Sequence, residues 1–253
     1  MSVADSGGKR SEELLVLYGS QTGNSEQAAI SIANDASEKL STSDVSVKGR
    51  HMQLDDFIEM ERVKWPKLVV IVTSSYGVGQ APLGCYQFRK MCDAILTQSG
   101  NGNPDVKGLL HGVKYAMLGL GDSNYSTFFE NPSQIDTALT LAGAKRIGPL
   151  GKADASGTGS NEQPEVISRW IATIWDELKP ILHSTDDDDD TTTTLDILEG
   201  ARKRTSEFCS HVIEDYGNDN LTDDNNNTNM NWMMIMAIVS IFIAILVMMV
   251  LKE

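Results

Sequence analysis

Apolar positions along this chain fall into short continuous runs separated by stretches with helical spacing. Leu14–Leu17 is one such run, and Leu68–Val72, largely β-branched, is a second. Runs this short, ending in glycine and hydroxyl residues, read as buried parallel strands. Between them, Ala28, Ala29, Ile32, Ala33, Ala36 and Leu40 recur on one helical face, predicting a helix over 26–40. A further strand is expected within Val45–Met52, then an amphipathic piece near Phe57–Val63. The pattern continues with a helix over Tyr86–Leu96, a flexible Asn- and Gly-rich insertion at Gln98–Val106, and a strand at Lys114–Leu118. It closes with a helix at Ser133–Ala142, a weaker fifth strand at Lys145–Leu150 and a long helix over Glu162–Leu182. Strands alternating with helices through short connections predict an α/β fold, a doubly wound parallel sheet.

Three of the expected strands run into loops rich in Gly, Ser and Thr, and strand carboxyl ends are where such sheets bind ligands. The first is Gly19-Ser20-Gln21-Thr22-Gly23-Asn24-Ser25. Its hydroxyls lie beside the free N–H groups of a helix start, which together suit an anion. No Lys or Arg lies between Gly19 and Ala29, so the Lys-Ser/Thr ending of a nucleotide P-loop is missing, as is the G-x-G-x-x-G dinucleotide spacing. A neutral loop of this kind suits a phosphate monoester, although an ordinary strand-to-helix turn explains this loop, taken alone, equally well. The second loop is Thr73-Ser74-Ser75-Tyr76-Gly77-Val78-Gly79, and the third is Gly119-Leu120-Gly121-Asp122-Ser123-Asn124-Tyr125. Both contain Gly-x-Gly, but Pro82 and Asn124 stand where a dinucleotide fingerprint needs its third glycine.

Composition changes after His183. Residues 183–231 carry thirteen Asp and Glu against three Lys and Arg, a net of −10 within a whole-chain charge of −14. The part before it is therefore only mildly acidic, and nothing in the balance suits nucleic acid. Asp186–Asp190 and Thr191–Thr194 are low-complexity runs that repel and solvate. They lack the alternating ligands and turn glycine of a calcium loop. Leu195–Tyr216 has the spacing of one short amphipathic helix. Trp232–Leu251 is uncharged throughout and long enough to cross about 30 Å of hydrocarbon as a helix. The expected organisation is a disordered lead over 1–12, a domain over 13–183, an acidic linker over 184–231 and a transmembrane helix over 232–251. Met1–Ser11 has no apolar core of a signal peptide. Cys85, Cys92 and Cys209 form no C-x-x-C pair, so reduced thiols are expected, with neither a disulfide framework nor a metal site.

Leu14–Leu182 resembles the FMN-binding, flavodoxin-like domain of the diflavin reductases. The resemblance rests on Tyr18–Asn24, Thr73–Gly79 and Leu118–Tyr125 with Phe128. From Tyr115 to Leu182, with Gly143-Ala144, Ala153-Asp154, Trp170 and Trp175, the chain looks most like methionine synthase reductase within that family. The resemblance implies a five-stranded sheet of order 2-1-3-4-5 with FMN at its carboxyl edge. It implies that Ser20, Gln21, Thr22, Gly23, Asn24 and Ser25 hold the FMN phosphate. Ser74, Ser75, Tyr76, Gly77 and Gly79, with Leu120, Gly121, Asp122, Asn124, Tyr125 and Phe128, would clasp the isoalloxazine. Tyr125 and Tyr76 are the expected stacking rings, the carbonyl of Gly77 would face N5, and Asp154 would lie near the ring edge, where a plain surface aspartate is the alternative. Relatives often carry an acidic-Gly-Asp-Pro segment where this chain has Val78-Gly79-Gln80-Ala81-Pro82, which removes negative charge beside the flavin.

The family's FAD- and NADPH-binding modules would begin where this sequence instead has its apolar segment. The expectation is a tail-anchored FMN electron carrier facing the cytosol, with the endoplasmic reticulum as default membrane. A separate flavin- or NADPH-dependent reductase would feed it, and a haem or other redox protein would accept its electrons. Two alternatives are a flavodoxin-like NAD(P)H:quinone reductase and a flavin-free membrane-bound interaction module.

Overall fold

The computed structural model describes residues 9–184 and 199–211. Its centre is a wholly parallel sheet in the order β2-β1-β3-β4-β5. The strands are β1 (Arg10–Gly19), β2 (Val45–Gln53), β3 (Leu68–Ser74), β4 (Lys114–Gly121) and β5 (Lys145–Arg146). The predicted order is therefore observed. A short β6 (Gly151–Asp154) pairs with the same edge of β4, against Leu118–Gly121. The expected fifth strand is thus split in two. Gly148 takes a left-handed φ of 68° and Pro149 has no N–H to donate, so the ladder breaks between Ile147 and Gly151.

The core follows from the strand pattern. Six consecutive residues of β3, Leu68–Thr73, are buried, as a strand covered on both faces requires. β2, at the sheet edge, alternates buried and exposed positions over its first half. Helix α1 (Asn24–Leu40) lays its Ala28, Ala29, Ile32, Ala33 and Ala36 stripe on the sheet. The small residues permit close approach: a Cβ on Gly49 of β2 would stand 1.9 Å from the Ala33 carbonyl oxygen. α5 (Gln163–His183) covers the same face with Trp170, Ile174, Trp175 and Leu178, and Trp170 Nε1 donates to the Pro149 carbonyl at 3.1 Å. α2 (Leu54–Ile58), α3 (Tyr86–Gly100) and α4 (Glu130–Leu141) complete the layers.

Three boundaries differ from the sequence reading. β1 begins at Arg10, inside the expected lead, because Arg10 pairs with Val45 and its guanidinium donates to the Leu182 carbonyl at 2.6 Å. The 98–106 insertion is shorter than expected: α3 runs on to Gly100, residues 100–102 and 104 are exposed, and the stretch is anchored at buried Val106, where a turn at Pro104–Val106 leads into buried Leu109 and Leu110. The amphipathic helix expected within 195–216 is α6, residues 199–211, and it docks on the domain. Its buried residues, Ala201, Thr205 and Cys209, recur every fourth position and form one face. Thr205 Oγ1 donates to the Leu109 carbonyl, and Cys209 Sγ lies 3.6 Å from Met91 Sδ. The acidic run, the rest of the expected linker and the predicted transmembrane segment 232–251 lie outside the described residues. Among the described residues no helix is long and apolar enough to cross a membrane.

Thr205→Val keeps the volume of the docked face but leaves the Leu109 carbonyl buried without its donor. A loss of about 1–3 kcal/mol is expected, read as a lower urea midpoint at unchanged m-value. An unchanged midpoint would show that α6 does not hold to the domain through this contact.

Candidate functional site

The sheet register brings the three sequence loops to one level. Gly19 lies beside Thr73, Thr73 beside Gly119, and Ser74 beside Leu120, so β1, β3 and β4 leave the sheet together. The loops enclose a cavity of about 310 Å³. Of the predicted residues, Gln21, Thr22, Asn24, Ser25, Ser74, Ser75, Tyr76, Gly77, Leu120, Gly121, Asp122, Tyr125 and Phe128 line it. Thr127, Ala155 and Gln163 line it as well and had no motif to mark them.

One end is built as an anion cradle. Gly23 takes φ 94° at the start of α1 and no side chain caps the helix, so free N–H groups of its first turn accompany the cavity-lining Asn24 and Ser25. Ser20 stands behind this turn: its Oγ accepts from Gly23 N at 3.0 Å, and its own N–H donates to the Leu83 carbonyl. Ser25 is 1% exposed, lines the cavity, and its Oγ has no partner within the protein. A buried hydroxyl left without a partner costs free energy, so its presence points to a ligand oxygen. No Lys or Arg lines the cavity, so hydroxyls, amides and the helix dipole carry anion binding. Gln163, at the start of α5, ties this end to the third loop. It accepts from Asn24 Nδ2 at 3.3 Å and donates to the carbonyls of Gly121 and Ala153 at 3.3 and 3.2 Å.

The other end is flat and aromatic. Tyr76 and Tyr125 line it while 48% and 62% exposed, so both rings keep open surface for a planar ligand. Tyr76 and Gln80 exchange backbone hydrogen bonds of 3.0 and 2.8 Å, closing a tight turn around Gly77-Val78-Gly79. Gly79 has φ 87°, and a Cβ there would stand 2.5 Å from Glu130 Oε2; Gly79 therefore shapes the turn and does not line the cavity. Thr127 Oγ1 approaches the Gly77 carbonyl at 3.4 Å. Phe128 packs under Gly121, with Lys152 Nζ 4.5 Å above its ring.

Asn124 and Asp154 stand in the third loop's own network and do not line the cavity. Asp154 Oδ1 accepts from the N–H groups of Ser123 and Ser156 at 2.9 and 3.0 Å. Partial burial alone would raise its carboxyl pKa, but hydrogen bonds from Ser123 and Ser156 hold it below the ordinary value. Asp122 accepts from Asn124 N at 3.0 Å and from Ser156 Oγ, and Asn124 Nδ2 donates to the same Ser156 oxygen. This loop is thus fixed before any ligand arrives. The thiols are unsuited to chemistry: all three are buried, and burial pushes Cys85 and Cys209 up to about 12. Among the described residues no group of side chains could hold a metal ion.

A hydroxyl-and-amide anion cradle joined to an open aromatic cleft, at the carboxyl edge of a doubly wound parallel sheet, defines a flavin-mononucleotide-binding class of α/β domain. The family profile described as Flavodoxin matches residues 16–170, and the chain belongs to that family. It is 33% identical over 162 residues to methionine synthase reductase of Caenorhabditis elegans, covering 64% of this chain and 22% of that protein. It is 32% identical over 165 residues to the mitochondrial pyruvate dehydrogenase [NADP(+)] of Euglena gracilis, covering 65% of this chain and 8% of that protein. The chain therefore spans a quarter or less of the length of these two relatives. Among solved structures, a flavodoxin variant from Pseudomonas aeruginosa matches with TM-score 0.48 and 24% identity, covering 66% of this chain and 99% of that one.

The domain is a flavodoxin-like electron-transfer domain related to the diflavin reductases, and its cofactor is FMN. The orphaned Ser25 hydroxyl and the exposed tyrosine rings fit a phosphate at one end and a flat ring at the other. Ser25→Ala separates the two uses of that residue. Removing a buried, unpartnered hydroxyl should leave the stability of flavin-free protein equal or higher. Loss of one hydrogen bond to a charged phosphate should weaken FMN binding about tenfold or more, measured by fluorescence quenching on titration. Unchanged affinity would place the phosphate elsewhere.

Proposed function

We propose that this protein is a membrane-anchored FMN electron carrier, reduced by a separate flavin- or NADPH-dependent reductase and oxidised by a haem or other redox protein. The observation that carries this reading is the convergence of all three loops on one cavity with an anion cradle and an aromatic cleft. FMN supplies the redox chemistry when bound. The chain's own residues do the rest. The residues from Gln21 to Ser25 hold the phosphate, Gln163 keeps that loop against the third, and Tyr76 and Tyr125 cover the ring and exclude water.

The mouth of the site also suits electron exchange by contact. Tyr76, Val78, Leu83, Tyr86 and Tyr125 make up most of the exposed large apolar side chains among the described residues, and all lie in or beside these loops. From Thr73 to Phe88 the chain carries no charge. Such a rim lets a partner approach the flavin without desolvating charged groups.

Membrane attachment rests on the uncharged Trp232–Leu251 segment, with the flavin domain on the cytosolic side and the endoplasmic reticulum as the default membrane. Deleting 232–253 should move the protein from the membrane pellet to the supernatant with its FMN retained. Persistence in the pellet would remove the anchor from this reading, and loss of FMN would show that the flavin domain depends on the segment. The purified full chain should not oxidise NADPH by itself. Steady NADPH oxidation with a quinone as acceptor would instead favour a quinone reductase.

A further inference from the structure

Directly behind the second flavin loop lies a buried polar residue that no loop motif contains. Asn131, in the first turn of α4, is 0% exposed. Its Nδ2 donates to the Ser74 carbonyl at 2.9 Å and approaches Thr73 Oγ1 at 3.4 Å. Its Oδ1 accepts from Arg89 Nη1 of α3 at 2.9 Å, and its backbone N–H donates to Ser75 Oγ at 3.1 Å. Arg89 is held in turn by Asp93, whose Oδ1 lies 2.8 Å from Nε. One side chain thus joins the end of β3, the start of α4 and the first turn of α3. It uses both amide donors and its carbonyl in doing so.

The local backbone is arranged to deliver it. Phe129, immediately before α4, takes a left-handed φ of 65°, the one positive φ of a non-glycine among the described residues. That turn places Glu130 beneath Gly79 and Asn131 beneath Ser74 and Ser75. A strained residue persists where the surrounding contacts fix it. Ser74, Ser75, Tyr76 and Gly77 form one wall of the cavity, so Asn131 stands one hydrogen bond behind that wall.

We propose that Asn131 is a positioning residue for the flavin, which sets the second loop's geometry and, through Arg89, keeps the charge behind that loop balanced by the Arg89–Asp93 ion pair. The inference rests on the FMN reading of the cavity. Its physical basis is twofold. The Ser74 carbonyl would lack its amide donor without Asn131, and the loop would be free to shift. The largely buried Arg89 guanidinium offsets the Asp93 carboxylate, so losing it, or adding a carboxylate beside it, leaves net negative charge behind the loop and disfavours an electron arriving in the cavity.

Asn131→Asp tests this at nearly constant shape. A carboxylate cannot donate to the Ser74 carbonyl, and with Asp93 it sets two negative charges against the single Arg89 cation. With full-length protein, FMN affinity should fall about tenfold or more and the midpoint potential of the bound flavin should become more negative. In flavin-free protein, amide hydrogen exchange across 74–77 should speed up. Arg89→Gln, which leaves Asn131 in place, should also lower the potential, and it decides the matter if the first variant fails to fold. A lower melting temperature with potential, affinity and loop exchange as in wild type would reduce Asn131 to a packing residue and overturn the proposal. A wild-type protein that takes up no FMN would overturn the cavity reading itself, and the loop-exchange comparison would then show whether Asn131 still sets the loop.

Discussion

Everything at the site depends on the level at which three neighbouring parallel strands stop. β1, β3 and β4 are adjacent, and their register sets Gly19, Thr73 and Gly119 side by side. A slip of one residue in any of these pairings would turn buried positions of that strand to the opposite face. The core opposes it, because Leu68, Val70 and Val72 pack in one cluster with the apolar faces of α1 and α5 while Val69, Ile71 and Thr73 are buried on the other side. The register is therefore fixed by the core, and the loops inherit a common starting plane. Their polar groups need no further alignment to enclose one cavity.

Much of this was legible in the sequence because it depends on short-range pattern. The strand runs, the small-residue stripe of α1 and the three hydroxyl- and glycine-rich loops are each contained within a dozen residues or so. Most predicted cavity residues lie there because a loop's position follows from its strand. What could not be read depends on contacts between distant segments. Gln163 reaches the site from the start of α5, a position marked by no local signal. Asp154 fell at the expected edge of the third loop, but its carboxylate is turned onto the N–H groups of Ser123 and Ser156. Ser20 has the right residue type for a phosphate ligand, yet its oxygen already accepts from Gly23 N. In both cases the sequence showed a polar group available and the fold used it to build the loop.

The split of the fifth strand and the anchoring of the 98–106 insertion at its Val106 end have a similar origin. Gly148 and Pro149 were visible as residues, but their effect required knowing that β4 offers its edge on both sides of them. The Asn and Gly content of 98–106 suggested a flexible insertion. Val106, Leu109 and Leu110 are too apolar to stay in water, however, and α6 covers Leu109. Composition described the turns of this insertion correctly and missed the anchors between them.

Docking of α6 also changes the reach of the flavin domain. With the whole of 184–231 as linker, about fifty residues would separate the domain from the proposed span. Cys209 and its buried neighbours instead tie the chain to the domain as far as residue 211, leaving 212–231 before Trp232. Under the proposed membrane attachment, the chain between α6 and the apolar segment is therefore shorter than the whole of 184–231. Under that same proposal, a membrane-held partner would be at high effective concentration for the tethered domain. The uncharged Thr73–Phe88 side of the site suits such an encounter. Long-range charge steering raises association rates between partners diffusing in bulk solution, and two proteins confined to one layer have less need of it.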